Sequence, residues 1–158
     1  MNVTVISVGT LKEKYLTDAV AEYKKRLSQY ARVEEINIKE EKIQNEDDAS
    51  EINRALEWEG EKILAAAPRD SVKIALCVEG REYDSVALAR LVEKYSDELG
   101  KLTFIIGSSH GLADSVKAAA DLKLSVSALT FPHQLMRVIL FEALYRSVTI
   151  IKGKRYHK

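Results

Sequence analysis

The sequence predicts an α/β fold, one parallel sheet with helices on its faces, formed by residues 1–158 as a single domain. Three observations carry that prediction. Short runs rich in valine and isoleucine alternate with longer segments whose apolar residues recur every three or four positions. Leu102–Ile106 is an almost unbroken apolar run, the pattern of a strand buried on both faces. Finally, 46% of the residues are hydrophobic and 30% charged, with only two prolines and one cysteine. Such a chain folds around its own core and is neither disordered, fibrous nor disulfide-stapled.

Val3, Val5, Ile6 and Val8 form a first strand that ends at Gly9. A helix follows over residues 12–30, with Leu16, Val20, Tyr23 and Leu27 at helical spacing. Val33, Ile36 and Ile38 mark a second, more polar strand. Ile52, Leu56, Ile63 and Leu64 give residues 48–66 an apolar helical face, which stops before Pro68. Val72, Ile74, Leu76 and Val78 alternate as a third strand, expected to close in a turn at Glu79-Gly80-Arg81. A helix from Ser85 to Leu99 ends at Gly100, a residue suited to the left-handed cap. The strand over 102–106 leads into Gly107-Ser108-Ser109-His110-Gly111, a short helix over 113–120 and a fifth strand over Leu122–Val126. The last helix runs from Pro132, whose fixed φ suits a helix start, to about Ile151. It is apolar on most of its circumference, so it is expected to be buried on more than one face. The second face is either a two-fold subunit contact or burial within the chain.

The formal net charge is zero, but it is unevenly spread. Residues 34–62 carry four basic and eleven acidic side chains, and residues 133–158 carry six basic and one acidic. A basic end can hold an anion; it also suits the C-terminal dipole of a helix. No apolar run approaches the ~20 residues that span a bilayer. The opening MNVTVISVG lacks a basic leader and a cleavage site, and the lone Cys77 suits a reducing cytoplasm. Cys77 lies in an apolar strand and reads as core. His110 and His133 have no acidic or cysteine partner at ligand spacing, so no metal site is expected.

Three segments carry potential chemistry. The loop Gly107–Gly111 follows a buried strand, where small residues admit a ligand to the backbone or simply make a turn. It is neither GxGxxG nor a P-loop. Ser125-Val126-Ser127-Ala128-Leu129-Thr130-Phe131-Pro132-His133 offers an apolar wall for an adenine or a thioether; alternatively Thr130 caps the helix that follows. The C-terminal helix and tail, with Arg137, Glu142, Tyr145 and Arg146 and then Lys152, Lys154, Arg155, Tyr156, His157 and Lys158, interleave cations with rings able to stack on an unpaired base; alternatively the tail is a frayed, inert end.

Several segments together resemble one family. They are VISVGTLKEKYLTDAVAEYKKRL near the start, EGEKIL at 59–64, IGSSHGL at 106–112, LSVSALTFPHQLMRVILFEALYRS at 124–147, and the closing YHK. The chain resembles the RlmH (YbeA-like) family of small SPOUT-class RNA methyltransferases over essentially its whole length. Ser108 stands where the family more often has glycine. The resemblance implies a SPOUT fold with a C-terminal trefoil knot, a homodimer, and S-adenosylmethionine as donor. It implies methylation of N3 of a pseudouridine in 23S rRNA of the assembled ribosome. Carried over by position, the donor pocket would use Leu76, Gly107, Val126, Ser127, Ala128, Leu129, Thr130 and Phe131. Arg146, Tyr156 and His157 would act at the target nucleotide. His133, Arg137, Lys154, Arg155 and Lys158 would contact the RNA. The tail of one protomer would complete the site of the other.

Overall fold

Residues 1–158 are described by a computed structural model. Five strands form one sheet: β1 Asn2–Val8, β2 Arg32–Ile38, β3 Val72–Glu82, β4 Lys101–Ile106 and β5 Leu122–Ser125. Their order across the sheet is β2-β1-β4-β3-β5, and every pairing is parallel. Five helices connect and cover them: α1 Lys14–Leu27, α2 Ala49–Ala66, α3 Ser85–Leu99, α4 Asp114–Ala119 and α5 His133–Ile151.

The central strands explain the layers. β1 and β4 have neighbours on both sides, and their alternate side chains enter two separate cores. Val3, Val5, Leu102, Phe104 and Ile106 pack with Val20 and Leu27 of α1, Val92 of α3, and Leu140, Phe141, Leu144 and Val148 of α5. Ile6, Val8 and Ile105 pack with Ile63 of α2 and Val116 of α4. The sheet therefore lies between α1, α3 and α5 on one face and α2 and α4 on the other. Each fully buried leucine or phenylalanine contributes about 1.5–3 kcal/mol. Helix ends follow local chemistry. Asp48 and Asp84 accept backbone N–H groups at the starts of α2 and α3, and Gly100 ends α3 at φ 69, as expected.

One element differs from expectation. Glu79-Gly80-Arg81 is no turn: β3 continues to Glu82, and its register against β5 shifts between Leu76 and Arg81. Gly80 is needed because a Cβ there would lie 2.6 Å from the Leu124 carbonyl carbon and 2.7 Å from the Ser125 nitrogen. Two backbones meet where a side chain would fit in a turn. α5 is buried on its sheet side and flanked by α1 and α3. An outward stripe of Leu135, Ile139, Glu142 and Arg146 stays partly or fully exposed.

Candidate donor cleft and tail cluster

The carboxyl ends of β3, β4 and β5 open onto a cleft of about 350 Å³. Parallel sheets bind ligands at this edge, because the βα loops there present unpaired backbone groups. Leu76, Gly107, Val126, Ser127, Leu129, Thr130 and Phe131 line the cleft; Ala128 does not. Leu129 is 71% exposed, so an apolar wall faces the open space. Two serines shape the wall: the Ser125 hydroxyl donates to the Ser127 carbonyl (3.1 Å), and the Leu129 N–H donates to Ser127 Oγ (3.0 Å). Thr130 does not cap α5. Pro132 occupies the cap position, and no side chain accepts there.

Gly107 serves the loop rather than the open space. A Cβ on it would lie 2.1 Å from the Gly111 carbonyl oxygen. The loop folds back on itself, with the Gly111 N–H donating to the Ser108 carbonyl at 3.0 Å. The left-handed residue is Gly111, at φ 91. Beneath the loop lies Glu59 of α2, only 3% exposed, which accepts the Glu41 N–H at 3.0 Å. Burial pushes its carboxyl above the usual range; the Glu41 N–H and the Ser108 hydroxyl pull the other way, and the nearby Glu40 adds to the rise. Sequence reasoning missed Glu59. The signal was available: it stands four residues from Ala55 and from Ile63, on the buried face of α2.

Arg146, Tyr156 and His157 come together at the other end of α5. Glu142 joins them; the sequence names it within this segment without a role of its own, although its spacing of four from Arg146 is that of a helical ion pair. Its Oε1 accepts from Arg146 and from the Tyr156 hydroxyl (3.1 Å). The Arg146 guanidinium lies 4.9 Å from the Tyr156 ring centre and 3.4 Å from His157 Nδ1. Tyr156 packs edge-on against Tyr145 at 4.8 Å. Burial, followed by hydrogen bonding to Tyr23 and Glu142, holds the Tyr156 phenol well above its ordinary value, so it remains protonated. Hydrogen bonding to Glu142 likewise raises Arg146. Lys154, Arg155 and Lys158 are exposed around this cluster.

His133 lines the cleft and also a second, polar cavity of about 420 Å³ beside Lys12, Lys39 and Glu40. Arg137 departs from the expected RNA-facing set. It is 2% exposed and donates to Asn37 Oδ1 and to the Gly9 carbonyl, both at 2.9 Å. Its position toward the sheet side of α5 turns the side chain inward, where it ties the ends of β1 and β2 to the helix. Cleft and tail cluster are separate within one chain. Met136 borders the cleft, and Arg146 lies ten residues on, about 15 Å along the helix axis. No group of three or more His, Cys, Asp or Glu stands close enough to hold a metal ion. No helix is long and apolar enough to cross a membrane.

The family described as "Predicted SPOUT methyltransferase" matches residues 1–157. The ribosomal RNA large subunit methyltransferase H of Shouchella clausii is 46% identical, with both chains covered completely. That of Caldicellulosiruptor bescii is 47% identical over 99% of each chain. Among solved structures, a probable methylase family protein from Haemophilus influenzae aligns with 99% of this chain and 70% of its own, at a TM-score of 0.59 and 15% identity. That likeness speaks for the fold.

Proposed function

The chain belongs to the SPOUT methyltransferase family, and from that membership we propose that it methylates N3 of a pseudouridine in 23S rRNA of the assembled ribosome, with S-adenosylmethionine as donor. The observation that carries this reading is the full-length match to rRNA methyltransferases together with a cleft at the strand ends lined by seven of the eight expected residues.

The cleft suits the donor. About 350 Å³ falls within the range of small-ligand sites. Leu76, Val126, Leu129 and Phe131 supply apolar surface for an adenine, and the loop after β4 supplies backbone donors and acceptors. Bound there, the donor supplies a methyl group already activated on a sulfonium. The protein then has to align the acceptor nitrogen and exclude water. Tyr156 stays protonated and so acts by stacking and hydrogen bonding rather than as a base. Arg146, held by Glu142, favours negative charge developing on the base. His157 is the side chain we assign to receive the N3 proton, being both exposed and beside Arg146.

The separation of about 15 Å along α5 supports assembly as a homodimer. A two-fold contact along the outward stripe from Leu135 to Arg146 would set the tail of one protomer beside the cleft of its partner. We carry the trefoil knot and a cytoplasmic location as parts of the same proposal. The test is single-turnover methylation of ribosomes lacking the modification, beside free 23S rRNA, with the product mapped by mass spectrometry and the protein's mass measured by sedimentation. N3-methylpseudouridine on ribosomes, made by a dimer, is the expected result. Binding to ribosomes without transfer would replace the enzyme with an RNA-binding factor of the same fold.

A further inference from the structure

The cleft lining contains two side chains that carry a full charge at neutral pH, Glu79 and Lys117. They come from different elements, the irregular stretch of β3 and helix α4, and meet at 2.5 Å. Each reinforces the other's charge: Lys117 holds the Glu79 carboxyl below its ordinary range, and Glu79 raises the Lys117 ammonium. The backbone departs from regularity to make this meeting possible. The register shift between Leu76 and Arg81 frees Cys77–Glu79 from the ladder, and Gly80 allows the strand to rejoin β5 at van der Waals limits. Irregularities of this kind re-aim side chains next to binding sites. Here Cys77, Val78 and Glu79 all reach the cleft.

We propose that Glu79 and Lys117 form the subsite for the amino-acid end of the methyl donor, Lys117 taking its carboxylate and Glu79 its ammonium group. This rests on the reading of the cleft as the donor site. An α-amino acid carries one charge of each sign, and the pair offers one partner for each. Without ligand the two side chains satisfy one another, so neither is left unpaired in a partly enclosed wall. A zwitterion replaces one ion pair by two and leaves the net charge unchanged. A ligand with a single charge attracts one member and is repelled by the other. The pair therefore selects for the zwitterion as well as binding it.

Calorimetry on the full chain separates this role from an ordinary ion pair. The probes are S-adenosylhomocysteine, which keeps the amino-acid end, and 5′-methylthioadenosine, which lacks it. Losing one charge-assisted partner costs about ten- to a hundredfold in affinity. Lys117→Met and Glu79→Gln should each weaken S-adenosylhomocysteine by that factor and change methylthioadenosine less than twofold. The exchanged double variant E79K/K117E restores an ion pair; it should match the parent's melting temperature yet still bind S-adenosylhomocysteine weakly. Equal effects on both probes, no effect on either, or full recovery of affinity in the exchanged variant would overturn the proposal. Failure of the parent protein to bind either probe would instead overturn the donor site beneath it.

Discussion

Arg137 gives the sharpest separation between a sequence expectation and the observed packing. The family resemblance implies that it contacts the RNA; in the structure it is an internal tie. Replacing it with Met keeps most of the volume and removes both hydrogen bonds. Asn37 Oδ1 and the Gly9 carbonyl then lose their donor, at about 1–3 kcal/mol each. Part of this is offset, because burying a guanidinium is itself costly: burial lowers the Arg137 pKa, and its Nε has no partner. The net loss is about 3 kcal/mol. For a chain of 158 residues that lowers the melting temperature by about 6–12 °C. The assay is thermal and urea unfolding of Arg137→Met, together with the salt dependence of its ribosome binding. A lost phosphate contact would reduce the slope of log affinity against log salt by about 0.7–0.9. The buried geometry requires an unchanged slope. A variant as stable as the parent with a reduced slope would refute the reasoning.

Other substitutions test the remaining sites. Gly107→Ala forces a Cβ against the Gly111 carbonyl, so stability should fall by about 1–3 kcal/mol in urea titrations, even with no ligand present. Glu59 has a folded pKa raised above the 4.5 of the free side chain, so its contribution to stability is full below that pH and is lost as pH rises through the folded value. Glu59→Gln keeps an acceptor for the Glu41 N–H and should gain stability relative to the parent between acid and neutral pH, as followed by thermal melts across that range. Glu142→Gln should lower single-turnover methylation at least tenfold, by loosening Arg146 and Tyr156, while donor affinity measured by calorimetry stays within twofold.

Regular elements were legible because local chemistry and burial agree. β4 is apolar except at Lys101 and Thr103 and sits between β1 and β3; Gly100 reads as a cap and adopts that conformation. Gly80 was misread because a turn and a close approach of two backbones both demand glycine, and only the neighbouring strand distinguishes them. The same ambiguity affects Gly107, whose constraint comes from Gly111 four residues on. The cleft was legible in outline, since the loops after successive parallel strands converge at one edge. Its charged pair was not, because Glu79 and Lys117 lie 38 positions apart and meet through the register shift of β3. The EGEKIL segment shows how a family string conceals several causes. Glu59 lies beneath the loop after β4, Gly60 allows the start of α4 to approach within 3.0 Å of a Cβ position, and Ile63 fills the core.

The charge asymmetry along the chain becomes an asymmetry in space. Of the six cations in residues 133–158, Arg137 is internal and Arg146 is paired with Glu142. The four that remain, Lys152, Lys154, Arg155 and Lys158, are all exposed after α5. The acid-rich segment includes α2, which covers the opposite face of the sheet. A chain of zero net charge thus gathers exposed cations after α5. At physiological salt the field decays over about 8 Å, so under the proposed function these cations would orient RNA near contact rather than draw it from afar. Orientation is what the proposed chemistry needs. Under the proposed function, a phosphate backbone held by the tail cations would leave the Tyr156 ring and His157 to meet the base.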